Sequence, residues 1–446
     1  MITTFIYQHS PRLIKSRIKD EKGFKKILGN INWLMFEKVI LTGLTFVIGV
    51  FVVRYLGPQK FGQYSYVQSF IGIFMPIATL GLDNIVIREL VKKKEQKDEI
   101  LGSTFLLKLT GSGLLVILSI VASLFINADN LTTTLFVLIL AIGQLFKSFD
   151  AIDYWFRSQV ESQYSALARL LAVLIVSTLQ ILLVVLQGPL LGLIIISSLH
   201  FVLDAVFYLY FYQRKVGSIL TWTYKKQIAK ELLSSSWPII LAGFATAIYM
   251  KVDQLIINSA LGEAELGYYS SAVKISQAVY FIPTIISTAI YPAIINAKKK
   301  NEELYKKRLK ILYTLFLWGS IMISLVVSLL SKPIIYLTFG DDFSLAAKPL
   351  SVHIWAFVFV CLGVVSAKEL LTEDKLSFLL IRTIIGAATS VLANILLIPH
   401  LGIVGAAGSA VIAQASSNFI SPLLFKDTRK IFLKFLKAFN IFELIN

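Results

Sequence analysis

Charge is scarce in this chain: only 15% of its 446 residues are Asp, Glu, Lys or Arg, against about 25% in a soluble domain. Acidic residues are the rarer sign, 26 against 43 basic, for a net charge of +17. Cysteine is almost absent. The single Cys361 excludes an intramolecular disulfide and any thiolate cluster, and its apolar surroundings in the sequence fit a buried, inert thiol. His9, His200, His353 and His400 are scattered without metal-ligand spacing, so no metal or other cofactor is expected. The chain lacks a G-x-x-x-x-G-K-[ST] loop, which excludes an ATPase motor of its own, and it lacks G-x-S-x-G and H-E-x-x-H.

What fills the chain is apolar. Hydrophobic residues make up 56% and the mean hydropathy is +0.75, more than a soluble core can hide, so lipid must solvate much of it. Runs of membrane length fall at 33–53, 63–84, 100–126, 132–153, 165–186, 190–212, 237–258, 268–293, 310–331, 350–370, 377–398 and 402–424. They are too long for barrel strands, and only helices satisfy their own backbone in lipid. The fold class predicted is all-α: a polytopic membrane protein of about twelve transmembrane helices. The first run, after a basic segment from Arg12 to Lys26, is full length and reads as a retained span, not a cleaved signal.

The basic residues sort by side. Excluding seven inside the spans, roughly 32 fall on one side and 4 (Arg54, Lys60, Lys332, Lys348) on the other. The positive-inside rule then places both termini in the cytoplasm of a cell (inner) membrane, multi-pass. A net charge dispersed this way reflects membrane topology, so nucleic acid is not an expected partner.

A repeat divides the chain. Residues 56–65 read LGPQKFGQYS and residues 261–270 read LGEAELGYYS, with five identities and no gap. Each copy joins the first two spans of a six-span half on the outer side. The organisation predicted is a basic cytoplasmic segment (1–32), a six-helix bundle (33–212), a cytoplasmic linker (213–236), a second six-helix bundle (237–424) and a basic amphipathic cytoplasmic tail (425–446). Parallel repeats of this kind place a substrate cavity between the halves. In the tail, Phe432, Phe435, Leu436 and Phe439 among Lys430, Lys434 and Lys437 read as an amphipathic helix lying on an anionic leaflet, the alternative being a disordered basic tail.

A charge at the bilayer centre costs about 2.5–3.5 kcal/mol on insertion scales, so intramembrane charges mark bundle interiors or watery cavities. Arg169, Lys147 and Asp150 fall near span ends, where snorkelling suffices; Arg382 does too, although it stays among the available cations. Lys251 and Lys274 are stronger candidates. They lie about 10 and 9 Å from the same end of adjacent spans at 1.5 Å per residue, and need an anion between them, of which Asp253 could be part. Polar stripes accompany them: Lys38, Thr42 and Thr45; Gln68, Gly72, Thr79 and Asp83 around Pro76; Thr246, Tyr249 and Asp253; Lys274, Gln277, Thr284 and Thr288 around Pro283. These face away from lipid, toward a cavity or toward other helices. The two prolines suggest bends suited to alternating access.

Three segments carry a family likeness. Arg54–Leu90 (RYLGPQKFGQYSYVQSFIGIFMPIATLGLDNIVIREL) resembles the start of Wzx-type polysaccharide flippases, relatives of the MATE exporters and the lipid II flippase MurJ. Met250–Pro283 (MKVDQLIINSALGEAELGYYSSAVKISQAVYFIP) and Asn394–Ala410 (NILLIPHLGIVGAAGSA) are similar to two further signatures. The resemblance covers nearly the whole chain. It implies a transporter, not an enzyme, that moves undecaprenyl-diphosphate-linked oligosaccharide repeat units (O-antigen or capsule) across the cytoplasmic membrane by alternating access. Membrane lipids, a polysaccharide polymerase and a chain-length regulator are the partners it implies. Cations line the cavity in such proteins; here Lys38, Lys108, Lys251, Lys274 and Arg382 are available for substrate, with Asp253 and Asp83 for ion coupling. A MATE-type cation-coupled drug exporter is the alternative, though it would need carboxylates and aromatics where this chain has lysines. A polysaccharide polymerase is less favoured, because the longest outer loop (332–349, with Asp341 and Asp342) is too short for a catalytic platform.

Overall fold

A computed structural model describes residues 21–439, and these are helical with no strand. The basic residues from Arg12 to Lys19 and the end of the tail fall outside the described residues. The first helix, α1 (Glu21–Thr79), runs 59 residues, about 88 Å at 1.5 Å per residue, far more than one crossing of a 30 Å hydrocarbon layer needs. It is two helices joined at Gly57, whose φ of 66° and ψ of 175° suit only glycine, with Pro58 opening the second half. α2 (Asp83–Lys92), α3 (Lys97–Ile126), α4 (Leu131–Gly143), α5 (Asp150–Ser158), α6 (Ser162–Val185) and α7 (Leu190–Lys215) follow. Then come α8 (Lys226–Leu261), α9 (Glu263–Ala278), α10 (Phe281–Lys300), α11 (Glu302–Leu329), α12 (Ser331–Phe339), α13 (Ala347–His353), α14 (Ala356–Thr372) and α15 (Leu376–Ala415). Two short helices, α16 (Ser421–Leu424) and α17 (Arg429–Ala438), close the described chain.

Among the described residues, nine helical stretches are long and apolar enough to cross a membrane, and a tenth forms if the pair bent by 44° around Ile354 and Trp355 is one span. α1 and α15 each supply two crossings, since α15 also breaks, at Gly402 (φ 58°, ψ −141°). Counting both crossings of each gives the twelve spans expected. Side chains such as Phe125 (83% exposed), Leu337 (73%) and Leu396 (65%) project apolar surface outward, as a lipid-solvated protein must.

Several boundaries differ from the sequence reading, each for a local reason. The span expected at 132–153 passes through a 3₁₀ stretch, Gln144–Phe149, before α5 resumes it. The span at 268–293 divides between α9 and α10, where Pro283 in the first turn of α10 needs no N–H partner. The region 332–349 is not an open loop but α12, a 3₁₀ turn (Asp341–Ala346) and the start of α13, set off by Gly340 at φ 89°. The tail helix α17 buries Ile431, Phe435 and Ala438 in a core with Tyr313 and Leu362, so that face meets protein and not lipid.

The described chain forms two compact units. The first comprises residues up to 48, 77–122 and 138–237; the second comprises 49–76, 123–137 and residues from 238 onward. The first is organised on a core of Leu82, Val86, Leu90, Leu101, Ile152 and Phe156, with Tyr208 and Tyr212. The second has its largest core around Tyr305, Leu309, Tyr313, Phe357, Leu362 and Phe435.

Candidate functional site

In the second unit the two copies of the repeat meet. A Cβ at Gly62 would overlap the carbonyl oxygen of Glu263, and a Cβ at Gly267 would overlap that of Pro58. The repeat sets positions 56 and 261 as equivalents, an offset of 205. That offset exchanges one contact for the other, so the pairing is reciprocal. It extends inward. Ser69 Oγ donates to Gln254 Oε1 at 2.5 Å, and the equivalent pair is Lys274 with Gly49, whose absent side chain leaves the space the Lys274 ammonium occupies. Gly57 and Gly262 share the same backbone geometry, φ 66° and 92° with ψ near 180°. The contact is therefore an approximate twofold built by glycines that let backbone meet backbone.

Lys251 sits beside this seam. Its Cε and Cγ would lie 3.7 Å from a Cβ on Gly72, one turn of α1 beyond Ser69. Pro76 packs against Gly243 a further turn on, 3.2 Å from where its Cβ would be. Lys251 and Lys274 are both half-buried, and no described carboxylate comes within ion-pair distance of either. Asp253 makes no ion pair with either, although its charge acts on Lys251 through space. It is 6% exposed, accepts the Tyr269 hydroxyl at 2.5 Å on one oxygen and the Gln254 backbone N–H at 2.8 Å on the other. Arg382 donates from one nitrogen to Ser366 Oγ (3.0 Å) and the Gly363 carbonyl (3.3 Å), again with no carboxylate among the described residues. The other buried carboxylate here, Glu369, takes the Tyr313 hydroxyl at 2.8 Å and Lys434 at 2.5 Å. Among the described residues of this unit, the spans thus carry three cations with no carboxylate in ion-pair range, and buried carboxylates already satisfied by hydrogen bonds.

The first unit is arranged in the opposite way. Lys108 is fully buried and donates to Asp150 and to the Tyr154 hydroxyl, each at 2.8 Å. Tyr154 in turn donates to Asp83. Lys108 and Asp83, expected to serve substrate and ion, are thus brought together as two ends of one network closed by Tyr154. Arg169, expected to snorkel, instead clasps Glu37 with two nitrogens at 2.5 and 3.1 Å and reaches Asp153 at 3.1 Å and Tyr208. Asp150, also read as snorkelling, is the partner of Lys108. Lys38 stands exposed on α1. Sequence reading named Arg169 but missed its pairing, because Glu37 lies 132 residues away and nothing local announces the pair. It passed over Gly49 and Ser69 although a signal was present: the repeat offset, carried seven residues before the motif and four after it, already pairs positions 49 and 254 and positions 69 and 274.

Comparison with known proteins agrees with this architecture. An inward-facing MATE-family multidrug resistance transporter of the MOP superfamily superposes with a TM-score of 0.72 at 17% identity, covering 92% of this chain and 99% of that one. The lipid II flippase MurJ, in an inward closed conformation, gives 0.70 at 16% identity over 92% of both chains. A probable low-salt glycan biosynthesis flippase, Agl15 of Haloferax volcanii, is 21% identical over 402 residues, 87% of this chain and 81% of its own. At residues 27–298 the sequence matches the model of the polysaccharide biosynthesis protein family. The all-α, multi-pass membrane fold is therefore that of the MATE and MurJ transporters, and the chain belongs to the polysaccharide biosynthesis protein family.

Proposed function

We propose that this protein is a flippase that carries undecaprenyl-diphosphate-linked oligosaccharide repeat units across the cytoplasmic membrane by alternating access between two six-helix bundles, 33–212 and 237–424, with both termini in the cytoplasm. The observation that carries this reading is the surplus of unpaired cations at Lys251, Lys274 and Arg382. An unpaired charge in a membrane span costs about 3 kcal/mol on insertion scales. Placing several in one unit, while Asp253 and Glu369 are held elsewhere, favours a site whose missing anion arrives with the cargo. A diphosphate suits lysine, which offers a compact ammonium with three rotatable donors. A cationic drug would meet repulsion at the same place. The relative named as a glycan flippase and the fold shared with a lipid II flippase support the same class of cargo. Lys38, exposed on α1, is a further contact in this reading, whereas Lys108 is withdrawn into its own network.

The test is Lys251→Ala with Lys274→Ala in cells that make the polymer. Surface polymer should fall at least tenfold and lipid-linked repeat units should accumulate on the cytoplasmic leaflet, with protein level unchanged on a blot. Undiminished polymer in the double variant would refute the proposal. Single repeats appearing outside the cell would point instead to a polymerase.

A further inference from the structure

We infer that His200 and Asp204, one turn apart on α7, form the proton-binding site of this protein; the assignment rests on the transporter reading above. Two observations carry it. The His200 Nε2 and Asp204 Oδ2 atoms stand 3.6 Å apart, too far for a hydrogen bond. The outward atoms of the same two groups, His200 Nδ1 and Asp204 Oδ1, are buried without a hydrogen-bond partner among the described residues. A buried polar atom left unsatisfied costs about 1–3 kcal/mol, and two on adjacent titratable groups mark a place with room for one more proton.

The surrounding charges leave this pair as the remainder. α7 packs against α6, α5 and the Gln144–Phe149 turn. From these elements the titratable groups near it are Lys147, Asp150, Asp153, Tyr154 and Arg169, with Tyr208 on α7 itself. Lys108 and Lys147 lie 2.8 and 3.8 Å from Asp150. Arg169 holds Glu37 and Asp153, Arg157 lies 3.6 Å from Asp153, and Asp83 takes the Tyr154 hydroxyl. Four cations (Lys108, Lys147, Arg157, Arg169) thus stand against four carboxylates (Glu37, Asp83, Asp150, Asp153). Asp204 is a fifth carboxylate, and among the described residues its one basic group within ion-pair distance is an imidazole, Lys147 and Arg169 acting on it only from further off. A proton added to this pair balances the set; its release unbalances it by one charge. Both side chains keep some exposure, 31% for His200 and 18% for Asp204, so neither is sealed within the helix packing. The carboxylates read from the sequence as ion-coupling groups, Asp83 and Asp253, each already hold a tyrosine hydroxyl.

The experiment uses the purified full chain in liposomes with a fluorescent undecaprenyl diphosphate as the probe. Translocation at equal pH on both sides tests the flippase reading, and Lys251→Ala should abolish it. A gradient of one pH unit across the membrane is worth up to about tenfold if one proton is coupled. The wild type should show most of that bias, whereas Asp204→Asn and His200→Gln should translocate within about twofold of wild type at equal pH and show no bias. Gradient response surviving in both variants, or absent from an active wild type, overturns the assignment. Infrared difference spectra between pH 5 and pH 8 decide the site even if the probe is not carried. A protonated-carboxyl band lost in Asp204→Asn and shifted in His200→Gln supports it, and a band unchanged in both sinks it.

Discussion

The reciprocal glycine contact makes a prediction about coupling as well as stability. Gly62→Ala brings two opposed effects. Alanine is favoured over glycine in a helix by about 1 kcal/mol. Against that, the new methyl overlaps the Glu263 carbonyl oxygen, which is backbone and cannot rotate aside, so α1 and α9 must separate. Overpacking of a tight contact costs about 1–3 kcal/mol, and a backbone obstacle belongs at the upper end. The net expectation is a loss of about 2 kcal/mol. Gly267→Ala, facing the Pro58 carbonyl, should cost the same within error because the offset of 205 makes the two sites equivalent. The sharper expectation concerns the double variant. Once the helices have moved apart for one methyl, the second finds the space already open, so the double should cost little more than either single, a coupling of about 1–2 kcal/mol. Gly319→Ala is the control, because nothing lies within 4 Å of its Cβ position, and it should be neutral or slightly stabilising. Denaturant titration of the full chain in detergent, followed by tryptophan fluorescence, reads all four. Simple additivity of Gly62→Ala and Gly267→Ala would show that the two glycines do not share one interface.

Gly49→Ala should separate function from stability. Its methyl meets the flexible end of Lys274, which can swing away, so unfolding should shift by under about 1 kcal/mol while polymer export falls as far as in Lys274→Ala. Glu37→Gln removes half of the clasp on Arg169 and leaves that guanidinium under-compensated, which should destabilise the protein by about 3 kcal/mol in the same titration. Glu373 reports on pH. Burial pushes its carboxyl up, but hydrogen bonds from Lys298 and Tyr305 outweigh this and hold it below its ordinary value. Its contribution is therefore present above the unfolded value and lost as pH falls through the lower, folded one. With both partners about one-third exposed, the effect is about 0.5 kcal/mol. Glu373→Gln should flatten the stability loss below pH 5, and an unchanged acid slope would contradict this origin.

The span count was legible because hydrophobic length is a property of composition, and the glycine breaks at 57 and 402 explain why two helices each supply two crossings. Bends were less legible. No proline or glycine lies within four residues of the 44° turn at Ile354 and Trp355, so no local signal marks it. Among the charges, depth along a span could be read from sequence but company could not. Lys251 and Lys108 look alike as lysines within apolar runs. One lies without a carboxylate beside Gly72, while the other is closed in by Asp150 and Tyr154. The difference depends on which helices pack together, and that information sits 42 to 185 residues away in the chain.

Symmetry and chemistry part company at the seam, and this separation bears on mechanism. The offset of 205 relates backbone to backbone with little error: Pro58 to Glu263, Gly62 to Gly267, Gly57 to Gly262. Carried to the side chains, it equates Ser69 with Lys274 and Gly49 with Gln254. One arm of the twofold is closed by a neutral hydrogen bond of 2.5 Å between Ser69 and Gln254. In the other arm, glycine accommodates an ammonium and offers it no partner. A duplicated scaffold kept only for packing would have no reason to place a charge on one arm alone, because a second Ser–Gln pair would satisfy both at lower cost. Lys274→Ser with Gly49→Gln builds that second pair. If the reasoning holds, this double variant should be at least as stable as the wild type, since it removes an unpaired charge worth about 3 kcal/mol, and should export no polymer. A variant that is both stable and fully active would mean that the passenger does not need the lysine.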